Sequence, residues 1–108
     1  MVLKLLTFIL LFQLLSCSTG QDKKNKLSQG TPAEKAENLF ILHCASCHGE
    51  DGKLGSSGAK DLSKSTLSKQ EISEILSKGK NAMPPMSALL ETKENQDLVI
   101  SHVLALRK

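Results

Sequence analysis

The sequence predicts a small all-α domain: two capping-box signals open helical runs, and no stretch of comparable quality alternates apolar and polar residues with period two. Thr31-Pro32-Ala33-Glu34 offers an N-cap residue, a proline at the first helical position and a glutamate three residues after the cap. The helix it opens carries Ala36, Leu39, Phe40 and His43 on one face and is expected to reach about Cys44. Ser68-Lys69-Gln70-Glu71 repeats the signal. There Ile72, Ile75 and Leu76 share a face, and Gly79 suits a left-handed stop. A third helix is expected from near Thr92 to the end, with Leu98, Val99, Val103 and Leu106 turned inward. It sets Arg107 and Lys108 at the negative end of the helix dipole. The connections at 49–67 and 80–91 read as loops rich in Gly, Ser, Pro and Met, of a length that usually wraps around something.

The 108-residue chain has three phenylalanines, no tryptophan and no tyrosine. Phe8 and Phe12 fall in an apolar leader, so Phe40 alone is left for a domain taken as 32–108. A domain of that size barely builds a sufficient core from side chains and is usually completed by a metal, a disulfide or a large cofactor. The net charge of +3 comes from the first thirty residues, because basic and acidic residues balance over 32–108. Scattered charges with one aromatic lack the basic stripe and stacking residues that nucleic acid requires.

Residues 1–16 read as an export signal, with Lys4 followed by an apolar run from Leu5 to Leu15 that is too short to span a bilayer. The run ends in Leu14-Leu15-Ser16-Cys17, which resembles the bacterial lipobox, whose cysteine receives a diacylglyceryl group and becomes the mature N-terminus. Residues 17–31 then form the lipidated N-terminus and a flexible tether of Ser, Thr, Gly, Gln, Asn and Lys. The 13 tether residues Ser18 to Gly30 have an expected r.m.s. span of about 20 Å and a stretched reach of about 45 Å, which keeps the domain close to its membrane. Ser18 is compatible with outer-membrane sorting, and export implies an oxidising compartment.

Cys44-Ala45-Ser46-Cys47-His48 is the strongest chemical signal. Two thiols three positions apart on a helical turn can each join one vinyl group of a haem, and the next residue then offers an imidazole to the iron. A thioredoxin-like couple would need a βαβ pattern that the chain lacks, and zinc would need a further ligand at suitable spacing. A plain disulfide stays open at this stage. The second axial position points to Asn81-Ala82-Met83-Pro84-Pro85-Met86, where prolines restrict the backbone and a thioether suits the iron, stabilising its ferrous form. Met83 is the first choice as ligand, and Met86 is expected as core filler against the haem edge.

These residues together resemble a class I c-type cytochrome, over nearly all of 32–108. The resemblance implies three main helices and long loops around one covalent haem c held by Cys44, Cys47 and His48, with Met83 as the second iron ligand. Phe40 matches the family's aromatic four residues before the first cysteine, and Gly49 to Lys53 its Gly- and Asp-containing turn. Leu62 matches the leucine that packs on the haem, and Ala36 the small residue where the first and last helices cross. Two positions depart. Lys60 stands where the family often has proline, whose carbonyl accepts a hydrogen bond from the axial imidazole. His102 stands where the last helix commonly has Tyr or Trp. His43 is expected as a partly exposed surface residue.

The implied task is electron transfer without enzymatic activity, with membrane-bound oxidases, reductases or dehydrogenases as partners, by a monomer or a complex subunit. A haem-based small-ligand sensor and a structural subunit of a larger respiratory complex are the rival readings.

Overall fold

In the computed structural model, residues 29–108 are described, and the leader, Cys17 and most of the tether lie outside them. The described residues form helices and turns with no strand, in agreement with the all-α expectation. Helix α1 spans Pro32–His43, α2 Ala45–His48, α3 Lys69–Lys78, α4 Ser87–Leu90 and α5 Lys93–Ala105. Short 3-10 turns at Ser56–Gly58 and Leu62–Lys64 punctuate the long connection after α2.

Both capping boxes are formed. Thr31 N–H donates to Glu34 Oε2 at 2.7 Å while Glu34 N–H donates back to Thr31 Oγ1 at 3.3 Å. Ser68 and Glu71 repeat the exchange at 2.7 and 3.2 Å. Each exchange satisfies orphan donors of a first turn, and the N–H bonds hold the Glu34 and Glu71 carboxyls below their ordinary range. Gly79 ends α3 at φ +75, a positive φ open to glycine, but its ψ of 170 is extended and differs from the left-handed helical stop that the sequence suggests.

Helix α1 packs chiefly on α5, which also touches α3 and α4. Leu39 and Phe40 share one core cluster with Val99, Ile100 and Val103, which Ile72, Leu76, Met86 and Leu90 extend, and Ala36 is also buried. The expected inward stripe of the last helix is present, since Val99 and Val103 are buried and Leu98 and Leu106 pack against the core, but it is incomplete. Ile100 is fully buried, whereas Leu98 and Leu106 are only partly buried. With neighbours on several sides, α5 buries a wider arc than one stripe.

Three further details differ from the expectation. The helix stops at Ala105 rather than at the end of the chain. Arg107 leaves the helix axis, and its guanidinium donates to the Leu67 carbonyl at 2.5 Å. The connection at 80–91 contains α4, a single turn whose Leu90 is fully buried. One turn is too short to display helical periodicity in sequence.

Candidate functional site

The break between α1 and α2 builds one side of the site. Cys44 leaves helical geometry at φ −121, ψ −34, yet its carbonyl still accepts from Cys47 and His48 N–H at 3.2 and 3.0 Å. The cysteines therefore sit at the two ends of one tight turn, with His48 at the C-terminal end of α2. Gly49 at φ +77 reverses the chain, and a Cβ there would stand 2.9 Å from Leu54 Cβ. The reversal lets Leu54 N–H donate to the His48 carbonyl at 2.9 Å, fixing the backbone of the histidine.

The imidazole is fixed from the other side. His48 Nδ1 lies 3.1 Å from the carbonyl oxygen of Lys60. A carbonyl only accepts, so this contact places the ring proton on Nδ1 and leaves Nε2 with its lone pair. Lys60 thus occupies the place of the family's proline and presents the same backbone oxygen. The carbonyl rather than the ring makes the bond.

Both thiols are free, Cys44 buried and Cys47 exposed. Burial pushes the Cys44 thiol up to about 11, which keeps it in the neutral S–H form. The disulfide left open by the sequence is not formed. Among the described residues no cluster of three or more His, Cys, Asp or Glu is placed to hold a metal ion by itself.

Met83 enters from the loop after α3. Lys80 N–H donates to Met83 O at 2.9 Å and Met83 N–H to Lys80 O at 3.0 Å, closing a tight turn with Asn81 at φ 54. Met86 N–H then donates to Leu76 O at 2.7 Å, which ties the loop to the end of α3. Between these ties Met83 is half-buried against the core, while Met86 is inside it at 5% exposure. The less buried of the two thioethers is thus the one on the braced turn. Leu62 opens the second 3-10 turn and is half-buried; a Cβ on buried Gly52 would stand 3.0 Å from its Cβ and 3.1 Å from Leu106 Cδ1. His43 is half-buried, and His102 packs on Phe40.

The arrangement fits a covalently held porphyrin. It offers two free thiols one turn apart, an imidazole whose free nitrogen is defined by its partner, a braced thioether and a small apolar core.

The family model described as "Cytochrome C oxidase, cbb3-type, subunit III" matches residues 31–100. The chain belongs to this cytochrome c family. Its fold is that of a small class I c-type cytochrome, and its cofactor is covalently bound haem c. Cytochrome c-555 of Methylococcus capsulatus is 37% identical over 62 residues, covering 56% of this chain and 50% of that protein. A cytochrome c6-like protein of Nostoc sp. is 36% identical over 90 residues, covering 72% of this chain and 79% of that protein. The chain therefore spans about half the length of the first of these relatives. No solved structure matches it.

Sequence reasoning missed what braces this cytochrome's site. The Asp61 side chain caps the turn that follows Lys60, accepting from Ser63 N–H at 2.9 Å and from Ser63 Oγ–H at 2.6 Å. The signal was present, since an Asp two residues before a Ser is a turn-capping pair.

Proposed function

We propose that this cytochrome is an exported electron carrier, tethered to a bacterial membrane through lipidated Cys17, with one haem c cycling between ferric and ferrous. The observation that carries the reading is the contact of His48 Nδ1 with the Lys60 carbonyl, beside two free thiols on one turn. Cys44 and Cys47 would hold the porphyrin by thioether bonds, His48 Nε2 and the Met83 sulfur would ligate the iron, and Leu62 would pack on the ring.

The haem supplies a one-electron couple when bound. The chain's residues keep that couple outer-sphere. With His48 and Met83 both ligating the iron, the chain would leave no place on the metal for a substrate, and on this reading the protein carries electrons and is not itself an enzyme. By accepting a hydrogen bond from Nδ1–H, the Lys60 carbonyl would make the imidazole a stronger electron donor to the iron, and the Met thioether would offset this by favouring ferrous iron. Among the described residues no helix is long and apolar enough to cross a membrane. The tether is read from the Leu14-Leu15-Ser16-Cys17 segment alone. Partners are membrane oxidases, reductases or dehydrogenases within that tether's reach.

A second reading has a specific observation in its favour. The matching family is described as an oxidase subunit, so the same domain can serve as a fixed haem subunit of a larger respiratory complex. One set of measurements tests both. The chain, matured with haem-attachment machinery, should gain the mass of one haem, give the pyridine haemochrome spectrum of two thioethers, and partition with membranes unless Cys17 is changed to Ala. A colourless product without added mass defeats the proposal. Recovery from detergent as a lone chain supports the free carrier, and recovery with large subunits supports the fixed one.

A further inference from the structure

We propose that Asp61 is a positioning residue for the His48 imidazole, holding the Lys60 carbonyl on Nδ1 through its turn with Ser63. The inference rests on the reading of His48 as an iron ligand.

A proline at position 60 would fix the backbone from the N-terminal side of the accepting peptide, because its ring locks φ. Lys60 is exposed and imposes no such restraint. The accepting oxygen belongs to the Lys60–Asp61 peptide; on its N-terminal side Ala59 N–H donates to Ser56 O at 3.0 Å, and on its C-terminal side the side chain of Asp61 adds a restraint of its own. Asp61 sits at φ −67, ψ 106, with Oδ1 accepting from both Ser63 N–H and Ser63 Oγ–H. Leu62 N–H donates to the Gly52 carbonyl at 2.9 Å, pinning the next peptide to the turn that follows His48. Ser65 N–H donates to Leu62 O at 3.1 Å and closes the 3-10 turn.

Ser63 is the one polar residue buried as a whole among the described residues, at 8% exposure. A buried hydroxyl requires a partner, and this one has the Asp61 carboxylate at 2.6 Å. That bond also holds the Asp61 carboxyl below the usual carboxylate range, so the acceptor stays ionised at neutral pH. The ion pair with Lys64 does not explain the residue. Its 3.8 Å separation and the 83% exposure of the lysine side chain make it weak. Asp61 acts as a hydrogen-bond acceptor, which asparagine can imitate.

The test uses the full-length, haem-loaded chain in detergent, with histidine labelled by nitrogen-15. It follows exchange of the His48 Nδ1 proton in the ferrous state together with the reduction midpoint. Asp61→Ala should speed that exchange about tenfold or more, as expected when one hydrogen bond is lost. The midpoint should move positive, because a less basic imidazole favours ferric iron less. Asp61→Asn should keep both near the parent values. Ser63→Ala removes a single oxygen and should shift both in the direction of Asp61→Ala, so it serves if the latter fails to fold. Asp61→Ala or Ser63→Ala with parental exchange and midpoint overturns the positioning role while leaving the ligand assignment standing. A His48 ring free of iron-induced shifts in the parent overturns the ligand assignment, and this proposal with it.

Discussion

The imidazole of His102 on α5 lies with its centroid 4.8 Å from that of Phe40 on α1, tilted by 39°. This is the helix crossing at which the family commonly places Tyr or Trp. The smaller ring keeps the contact but leaves Nε2 buried without a hydrogen-bond partner. Burial lowers the His102 pKa below its ordinary value of 6.5, and the Glu37 carboxylate on α1 opposes the shift less strongly.

From this follows a pH dependence with a definite sign. The folded state prefers the neutral ring, so the unfolded chain binds more protons as pH falls through the ordinary histidine range. Stability contributed by His102 is present above 6.5 and is lost below it, before the capped carboxylates with ordinary values of 3.8 to 4.5 begin to titrate. His102→Phe should remove that loss and add about 1 kcal/mol at neutral pH by eliminating the orphaned nitrogen. Thermal melts followed by circular dichroism at about pH 7.5 and about pH 5.5 read both effects. An unchanged difference between the two melts would assign the acid sensitivity elsewhere.

Gly79 meets both demands that only glycine satisfies. It stands at φ +75, and a Cβ would lie 2.6 Å from the Met83 carbonyl oxygen and 2.9 Å from Pro85 N. These are backbone atoms of the turn carrying the thioether, so the loop must move to admit a methyl group. Gly79→Ala should cost about 2 kcal/mol or more in denaturant unfolding. It should also weaken the sulfur-to-iron band of the ferric spectrum before helical content is lost. Loss of both signals together at one denaturant concentration would show that the loop is not the point of strain.

The two methionines of the same loop separate ligation from packing. Met83→Ala should abolish the sulfur band while the haem mass remains on the chain. Met86→Ala, which empties a core position of 5% exposure, should cost about 2–5 kcal/mol yet keep the band in the folded fraction. The opposite pattern would move the axial ligand to Met86.

Local signals made most of this fold legible. Thr31 and Ser68 announce their helices because a capping box satisfies orphan N–H groups with residues three apart, a relation wholly contained in the sequence. The Cys44 to His48 motif is legible for the same reason. What stayed hidden depends on long-range neighbours. Ile100 lies off the expected stripe and is buried because α5 is flanked by α1, α3 and α4. The turn of Ser87–Leu90 forms around fully buried Leu90, with no side-chain cap to announce it. The Lys60 carbonyl was anticipated from resemblance, but its brace through Asp61 and Ser63 required the folded turn.

Arg107 belongs to the same class of long-range effects. One of its terminal nitrogens donates to the Leu67 carbonyl at 2.5 Å, across forty residues of chain, while its Nε is buried without a partner. The bond fastens the segment after α5 to the residue just before the Ser68 cap, so the C-terminus holds the start of α3 in place. A charge-assisted bond to a carbonyl contributes about 1.5–3 kcal/mol, and the buried Nε offsets part of it. Arg107→Met keeps the apolar stem and removes the guanidinium, so it should cost about 1–2 kcal/mol. Amide exchange should quicken at Lys69 to Ile72 while the α1 amides keep their protection. Uniform acceleration across both helices would instead make Arg107 a contributor to global stability with no special hold on α3.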